Sequence, residues 1–340
     1  MFYDASLLDS MEGIRFRGQT IPDLAKYLPK AEGGTEPLPE GVYYLLLTGK
    51  YPNAAEFAEF QNDLRSREAI PQRTMDLIKS LPRDTHPMSA ISMALLSLQQ
   101  DSKFAQAYRD GVHKSKYWEA TLEDCMDLIA KIPLVAAYVY RHTYFNGDFI
   151  KPDHTQDWTG NYSHMMGFEE HMMKECLRGY MSIHTDHEGG NVSAHTMQLV
   201  GSALSDPYLS YSAAMNGLAG PLHGLANQEV LKFLINLQSD VGDNITEERI
   251  AEECWKILNS GRVIPGYGHA VLRNTDPRYL HQRKFAQDHI KNDPLVDLSV
   301  KCFNVIPKIL TELGKVKNPW PNVDCGSGVL LNHYGNFLVF

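Results

Sequence analysis

Apolar side chains recur at helical spacing through most of this sequence, and this periodicity limits the folds that the chain can adopt. The longest run extends from Glu119 to Tyr140, where apolar residues stand three or four positions apart and Pro133 predicts a kink. Gly or Pro stands at nearly every junction between such runs. Strand candidates are limited to 14–17 and 43–47, without the alternation of strands and helices that a doubly wound fold needs. The sequence therefore predicts an all-α fold.

The helix boundaries can be placed approximately from the same periodicity and from capping residues. The predicted helices cover 54–68, 88–100, 119–140, 169–184, 191–204, 213–218, 229–237, 247–258, 282–291 and 296–313. The segments 145–159 and 315–328 are rich in Pro, Asn, Asp or Gly, and we predict them to be loops.

The composition is typical of a globular protein and disfavours two classes of partner. The 340 residues carry a net charge of −9, which is opposite in sign to the basic surface that nucleic acids require. No uncharged apolar stretch reaches the length of a membrane span, which is about 18 residues. The five cysteines are far apart and show neither a zinc spacing nor a disulfide framework. We therefore predict no nucleic-acid partner and no membrane partner.

Two histidines stand in nearly matching glycine–proline segments. The first is His223, within 220–224, and the second is His269, within 265–269. A helix is predicted directly after each, over 225–237 and 270–273. The positive end of a helix dipole disfavours a further positive charge, so each ring is expected to be neutral near pH 7. A neutral imidazole can donate a hydrogen bond to a carbonyl oxygen as it becomes an enolate, so the pair indicates chemistry at two carbonyl groups.

A third group of histidines lies beside a glycine pair. His184 and His187 stand three residues apart, and His195 follows Gly189-Gly190. Zinc binding is one interpretation, but the spacing matches no established zinc pattern, so we predict no metal. Burial could explain an individual histidine. The two glycines instead favour a close approach of the backbone to a ligand.

The segment 261–278 combines an exposed-backbone turn with two arginines. It lacks the Gly-Lys-Ser/Thr of a phosphate-binding Walker loop. Arg273 and Arg278 follow His269 by one and two helical turns, and a guanidinium can bind a carboxylate or phosphate through two parallel hydrogen bonds. Solvated surface arginines are the alternative interpretation.

Long segments of the chain resemble citrate synthases of the eukaryotic mitochondrial type. The segments that carry the resemblance are 117–119, 124–131, 184–196, 216–229, 261–279 and 317–324. The similarity extends from about 7 to about 334 with almost no gaps. It implies a multi-helical, two-domain citrate synthase fold, with a large domain over 1–222 to which 330–340 returns. A small mobile domain would cover 223–329.

The resemblance also implies an activity and an assembly. Citrate synthases condense acetyl-CoA with oxaloacetate and hydrolyse citryl-CoA to citrate and CoA. They work as homodimers, and they need no cofactor because acetyl-CoA is a substrate. The implied location is the mitochondrial matrix, although Asp4 and Asp9 precede any arginine, unlike a transit peptide.

Individual positions match the family pattern. His223 matches the donor to the acetyl thioester oxygen, and His269 matches the donor to the oxaloacetate carbonyl. His187 and Arg278 match residues that bind the oxaloacetate carboxylates, and Asn191 lies in the same substrate-facing turn. The residues implied for CoA are Val263, Ile264, Pro265, Gly266, Tyr267, Gly268, Arg273, Lys315, Lys317 and, toward a partner subunit, Lys114.

The general base and two oxaloacetate-binding arginines are the parts of the family pattern that we do not match to this sequence. We expect the family aspartate and two oxaloacetate-binding arginines to lie beyond Gly335, where the sequence reads Asn-Phe-Leu-Val-Phe. Asp276 and Asp324 are candidate substitutes, but Asp276 precedes Pro277 and is interpreted as a turn residue. The chain is shorter than the family pattern at both ends. We expect a chain without a base to lose several orders of magnitude in activity.

Two alternatives to citrate synthase therefore stay open. One is a 2-methylcitrate synthase, which uses propionyl-CoA and differs in pocket size. The other is a non-catalytic relative with a structural or regulatory role.

Overall fold

Regular structure in this chain is almost entirely α-helical. The computed structural model describes residues 6–242 and 245–335. Sixteen α-helices lie within these ranges, and the all-α prediction is confirmed. They are α1 (Ile21–Tyr27), α2 (Pro39–Thr48), α3 (Ala54–Arg67), α4 (Gln72–Ser80), α5 (Pro87–Ser97), α6 (Lys103–Arg109), α7 (Tyr117–Tyr144), α8 (Trp158–Met166), α9 (His171–Ile183), α10 (Val192–Gly201), α11 (Pro207–Leu218), α12 (Ala226–Val241), α13 (Glu247–Asn259), α14 (Pro277–His289), α15 (Pro294–Leu313) and α16 (Asp324–His333).

Both strand predictions are wrong. Residues 43–47 lie in α2, which has Pro39 at its first turn and ends at Gly49 in the left-handed conformation. These start and stop signals outweigh the β-like composition of the short run. Within 14–17 the backbone forms only a single bridge, between Phe16 and Gln19.

Both loop predictions hold over most of their length and fail at the C-terminal end. The Asp157 side chain accepts a hydrogen bond from the Gly160 N–H and so starts α8 at Trp158, inside the predicted loop 145–159. The segment 315–323 is non-helical apart from turns, but α16 begins at Asp324. No helix among the described residues is long and apolar enough to cross a membrane.

The chain divides into two compact units after His223. Unit 1 contains residues 24–223, together with Ser6. Its centre is α7, which packs against α3, α4, α5, α6, α8 and α11. Pro133 lies inside α7, and the helix continues through it. Val135 and Ala137 are fully buried, which is the burial that the helical periodicity of this run predicts.

Unit 2 contains residues 7–23 and the described residues from 224 onward. Its helices α12, α15 and α16 pack against one another, with α13 on α12 and α15, and α14 on α16. Leu234, Ile250 and Ile306 are at most 2% exposed in this core.

The contact division differs from the predicted domains in three places. His223, predicted to begin the small domain, belongs to unit 1. Residues 7–23 belong with unit 2, because the Arg273 N–H donates to the Ser10 carbonyl (2.7 Å) and the Asn274 side chain donates to the Met11 carbonyl (2.9 Å). Residues 330–333 do not return to unit 1, because they complete α16 on the unit 2 core. Residues 336–340 lie outside the described ranges.

Candidate active site

His223 lies in a turn that follows α11, and a hydrogen-bonded chain of unit 1 side chains leads to it. The His223 N–H donates to the Gly220 carbonyl (3.0 Å), which closes the turn. On the ring, Nε2 lies 2.9 Å from Ser193 Oγ and 3.4 Å from the Ser193 N–H donor. Ser193 Oγ in turn lies 2.9 Å from Asn191 Oδ1, which also accepts the Ala194 N–H and caps α10.

This geometry favours one tautomer of His223. The backbone N–H of Ser193 points at Nε2, which favours Nε2 as an acceptor. The proton of the neutral ring is then on Nδ1. Partial burial lowers the pKa of His223, because removal from water disfavours the charged form. The predicted neutral ring therefore agrees with the direction of the pKa. The helix over 225–237 is also confirmed as α12, and burial is the cause of the lowered pKa.

The glycine-pair segment forms a tight turn between α9 and α10. The Asn191 amide donates to the carbonyls of His187 (3.1 Å) and Glu188 (2.9 Å). Glu188 has a φ of 54°, in the left-handed region that glycine favours. Asn191 therefore fixes the His187 turn and joins it to Ser193 and His223, so His187, Asn191 and His223 come together in unit 1. No group of three or more His, Cys, Asp and Glu side chains in the described ranges could hold a metal.

His269 lies in unit 2, and the helix predicted over 270–273 is wrong. Instead, His269 Nδ1 accepts the backbone N–H groups of Val271 (3.0 Å) and Leu272 (3.1 Å). A side chain that satisfies two consecutive N–H groups replaces the first helical turn, and the next helix, α14, begins only at Pro277.

The same two hydrogen bonds determine the chemistry of the His269 ring. Because Nδ1 accepts, the proton of the neutral ring is on Nε2, which is therefore a donor. Burial lowers the pKa of His269, and the positive charges of Arg278 and Arg273 act in the same direction, against the opposing effect of Asp276. His269 is thus a neutral donor with a fixed tautomer, as its predicted role requires.

Arg278 is buried and held by Asp276. Its Nη2 lies 2.7 Å from Asp276 Oδ2, and its Nε lies 3.1 Å from Oδ1. Asp276 Oδ1 also accepts the Arg278 backbone N–H and caps α14, as expected of a turn residue. The guanidinium is thereby fixed in direction, and Nη1 carries two further N–H groups.

The remaining predicted CoA residues of unit 2 divide into structural and exposed positions. Gly266 has a φ of 79°, and a Cβ there would lie 2.6 Å from Val230 and 3.1 Å from the Cys325 backbone, so this position requires glycine. Ile264 is buried, whereas Val263 is 75% exposed. Pro265 and Tyr267 are partly buried, Gly268 has a φ of 95°, and Lys315 and Lys317 are exposed.

Two further predicted CoA residues have different surroundings. Arg273 Nη1 donates to three backbone carbonyls, those of Ala270, Val271 and Leu272, so its guanidinium braces the His269 turn. Lys114 is exposed in unit 1, in the short 3-10 turn before α7.

Asp324 is the functional candidate that the sequence interpretation set aside. It begins α16, and the protein surrounds its carboxyl closely enough that burial raises its pKa from 3.8 to about 6, although part of the residue stays accessible. Arg278 lowers this pKa and Asp276 raises it further, so Asp324 has the same two charged neighbours as His269. A carboxylate with a raised pKa near a neutral donor is suited to general base catalysis. Asp324 is thus a candidate of this kind among the described residues, whereas the sequence analysis expected the family aspartate beyond Gly335. The apolar surroundings that raise the pKa form only in the folded chain.

Comparison with known proteins agrees with this fold. The family model described as "Citrate synthase, C-terminal domain" matches residues 2–336. Citrate synthase 4, mitochondrial, of Arabidopsis thaliana is 57% identical over 335 residues, which are 98% of this chain and 71% of that protein. Citrate synthase, mitochondrial, of Daucus carota is 56% identical over the same shares of the two chains.

Structural comparison gives the same family. The citrate synthase of Pyrobaculum aerophilum superimposes with a TM-score of 0.83 and 26% identity, covering 98% of this chain and 80% of that one. The citrate synthase of Thermoplasma acidophilum, solved as a ternary complex with carboxymethyl coenzyme A and oxaloacetate, shares the fold with a TM-score of 0.80 at 20% identity, over 99% of this chain and 83% of that one. These helical proteins are transferases. The chain belongs to the citrate synthase family, and its function is that of a citrate synthase, an enzyme of the tricarboxylic acid cycle.

Proposed function

We propose that this protein condenses acetyl-CoA with oxaloacetate and hydrolyses the resulting citryl-CoA to citrate and CoA. The observation that carries the proposal is the chemistry of His269 and Asp324, a neutral donor and a carboxylate of raised pKa that share Arg278 and Asp276 as neighbours. Carbon–carbon bond formation from a thioester needs a base for the α-proton and a donor for each carbonyl oxygen that gains charge.

The first proposed step makes a nucleophile of the acetyl group. Asp324 removes a proton from the methyl carbon while His223 donates a hydrogen bond to the thioester oxygen, and an enol or enolate results. A pKa of about 6 lets the Asp324 carboxylate be ionised at neutral pH and still be a stronger base than an ordinary aspartate. The backbone N–H of Ser193 donates to Nε2 of the His223 ring, which leaves Nδ1 as the donor.

The second step forms the new carbon–carbon bond. The enol carbon attacks the ketone carbon of oxaloacetate, and the ketone oxygen accepts a hydrogen bond from His269 Nε2 as it gains negative charge. The resulting alkoxide takes a proton from solvent, to which Asp324 returns the proton that it removed from the methyl carbon. Arg278 and His187 bind the carboxylates of oxaloacetate, with Asn191 holding the His187 turn. Water then cleaves the thioester of citryl-CoA, which releases citrate and the CoA thiol. The reaction balances without any change in oxidation state, so we propose that it uses no cofactor.

The exposed groups near the predicted CoA loop fit a large anionic substrate. Lys315 and Lys317 are accessible, and Val263 presents an apolar side chain to solvent. We propose that these residues and the backbone of 265–268 bind CoA, and that Lys114 serves a partner subunit's CoA.

The test is a thiol-release assay on the purified chain with acetyl-CoA and oxaloacetate, run beside Asp324→Asn and His269→Ala. We expect release of CoA that depends on oxaloacetate and that either substitution lowers by at least about 10²-fold. Faster release with propionyl-CoA would favour a 2-methylcitrate synthase. Oxaloacetate binding without turnover would favour a non-catalytic relative.

We propose that the protein is a homodimer in which α10 lies in the interface. None of the residues of α10 is fully buried, although most of them are apolar or small. Val192 and Leu199 are 57% and 56% exposed, and their spacing of seven puts them on one helix face. An apolar helix face of this kind is typical of an interface. Light scattering should give a dimer for the chain and a monomer for Leu199→Glu, whereas Leu280→Glu on α14 should stay dimeric.

The location that we propose is the mitochondrial matrix. The proposal rests on the mitochondrial citrate synthases of Arabidopsis thaliana and Daucus carota that the chain resembles. Immunodetection in fractionated mitochondria should recover the protein with soluble matrix markers. Recovery outside the mitochondrial fraction would contradict the proposal.

A further inference from the structure

One amide side chain in unit 2 joins the segment of His269 to the start of the helix that carries Asp324. Asn322 Nδ2 donates to the carbonyl of Gly268 (3.0 Å), the residue directly before His269. Asn322 Oδ1 accepts the backbone N–H of Asp324 (3.0 Å). The backbone N–H of Asn322 donates to the Gly266 carbonyl (2.9 Å) and its carbonyl accepts the Cys325 N–H (3.2 Å), so four hydrogen bonds converge on this residue.

These bonds belong to a short antiparallel contact between two loops. Tyr267 pairs with Pro321 in a β-bridge, and the Gly268 N–H donates to the Trp320 carbonyl (2.9 Å). The main-chain bonds align the loops along their length. Among the side chains in the described part of the chain, only that of Asn322 is hydrogen-bonded both to the residue before His269 and to the backbone of Asp324.

An amide is suited to this position because its two ends differ. The carbonyl oxygen accepts and the NH₂ group donates, so one rigid planar group can satisfy a backbone N–H on one side and a backbone carbonyl on the other. The rate of an enzymatic step falls by about 10²-fold when a reacting group is misplaced by about 1 Å. A link between donor and base therefore affects the rate even though it touches neither reacting atom.

We propose that Asn322 is a positioning residue that holds His269 and Asp324 in register for the condensation. The inference rests on the proposed roles of those two residues. It predicts that loss of either amide contact lowers kcat, whereas the binding of oxaloacetate, which is assigned to Arg278 and His187, changes little.

The chain offers a matched control in the same segment. Asn318 Oδ1 accepts the backbone N–H of Trp320 (2.9 Å), two residues ahead, as Asn322 Oδ1 does with Asp324. Asn318 is 3% exposed, so its substitution also removes a buried amide. No side-chain bond from Asn318 to the His269 loop or to Asp324 is among those of the described residues. Asn318→Ala thus measures how much activity is lost when a comparable amide hydrogen bond is removed while the contacts of Asn322 to Gly268 and Asp324 stay in place.

The experiment compares Asn322→Ala, Asn322→Asp and Asn318→Ala with the unsubstituted chain. Asn322→Asp retains the shape and the acceptor for the Asp324 N–H but replaces the donor to Gly268. We expect kcat in thiol release to fall about 10²-fold in both Asn322 variants, with the KM for oxaloacetate within about threefold, and to fall less than about threefold in Asn318→Ala.

A second measurement does not depend on turnover. ¹⁵N NMR of the ring of His269 reports which nitrogen carries the proton. We expect the Nε2–H tautomer alone in the unsubstituted chain and in Asn318→Ala, and a mixture of tautomers in both Asn322 variants, because the turn that supplies two N–H groups to Nδ1 is no longer anchored at Gly268. Asn322→Asp, the smaller change, provides this readout if Asn322→Ala does not fold.

The inference is overturned if the Asn322 variants keep the kcat and the tautomer of the unsubstituted chain, or if they lose activity only as far as Asn318→Ala does. That result would leave the proposed function intact, provided that Asp324→Asn still abolishes turnover. Full activity of Asp324→Asn would instead overturn the role of Asp324 and, with it, the role of Asn322.

Discussion

Replacing Asp324 by Asn should make the protein more stable and almost inactive. The carboxyl of Asp324 has its pKa raised from 3.8 to about 6, mainly because the folded chain removes it from water. The folded state therefore binds a proton more tightly than the unfolded state does. The unfolding free energy must fall as the pH rises from about 4 to about 6, and this loss is complete at neutral pH.

The size of the effect follows from the pKa. Each pH unit by which the folded and unfolded pKa differ corresponds to 1.36 kcal/mol, so the ionised carboxylate costs about 3 kcal/mol at neutral pH. Asparagine has nearly the same shape and carries no charge, so Asp324→Asn should recover up to about 3 kcal/mol. Activity should fall by about 10²- to 10⁴-fold, the usual contribution of a general base.

Urea unfolding at two pH values separates this effect from a general change in stability. We expect Asp324→Asn to exceed the unsubstituted chain in unfolding free energy at pH 7.5 and to match it near pH 4, the ordinary pKa of a free aspartate. In the unsubstituted chain, kcat/KM should rise with pH through about 6, because the base acts only when ionised.

Asp276→Asn is the control from the same neighbourhood. Asp276 pairs with the buried Arg278, so its neutralisation leaves a buried guanidinium without its carboxylate and should destabilise the fold by about 3–5 kcal/mol. The reasoning is refuted if Asp324→Asn is no more stable than the unsubstituted chain at pH 7.5, or if it retains ordinary turnover.

Three further predictions concern other parts of the molecule. His269→Ala should lower kcat by about 10²- to 10³-fold with little change in KM, since it removes a donor to the developing alkoxide. This role would be contradicted if thiol-release assays showed an equal loss of kcat/KM that came from a raised KM alone. Ser193→Ala should lower kcat about tenfold, the equivalent of one hydrogen bond that holds the His223 ring, and ring ¹⁵N shifts of His223 should change with it. In unit 1, Arg178→Ala should lower the unfolding free energy by about 3–5 kcal/mol in urea titrations, because it leaves the buried carboxylates of Asp157 and Glu175 without their cation. A loss below about 1 kcal/mol would show that these carboxylates are not paired with Arg178 as they are in the structure.

Helical periodicity was sufficient to predict the class of fold. The run from Glu119 to Tyr140 became α7, whose buried positions repeat at the spacing that the apolar residues set. Residues 43–47 show the limit of this reasoning. Five apolar or aromatic residues have no decisive period, and the helix was decided by Pro39 and Gly49 on either side.

Motifs predicted the identity of the site histidines but not how each is held. His223 and His269 stand in similar sequence contexts and were expected to begin similar helices. The first does precede α12, whereas the second binds two N–H groups of its own turn. Both rings have a lowered pKa, and burial is the largest cause for each. Burial depends on packing, which no local motif records.

The sequence by itself determined the all-α fold, the family and the two histidines, because periodicity and long motifs are local properties of the chain. Tertiary structure decided which carboxylate can act as a base and which residues hold the donors. Asp324 ends a segment that carries the family resemblance, but its pKa is raised only by the protein that surrounds it in the folded state. Asn322 gains its role from a loop that lies more than fifty residues earlier in the chain. Desolvation and long-range hydrogen bonds arise only when distant segments pack together, and for this reason the sequence could not show them.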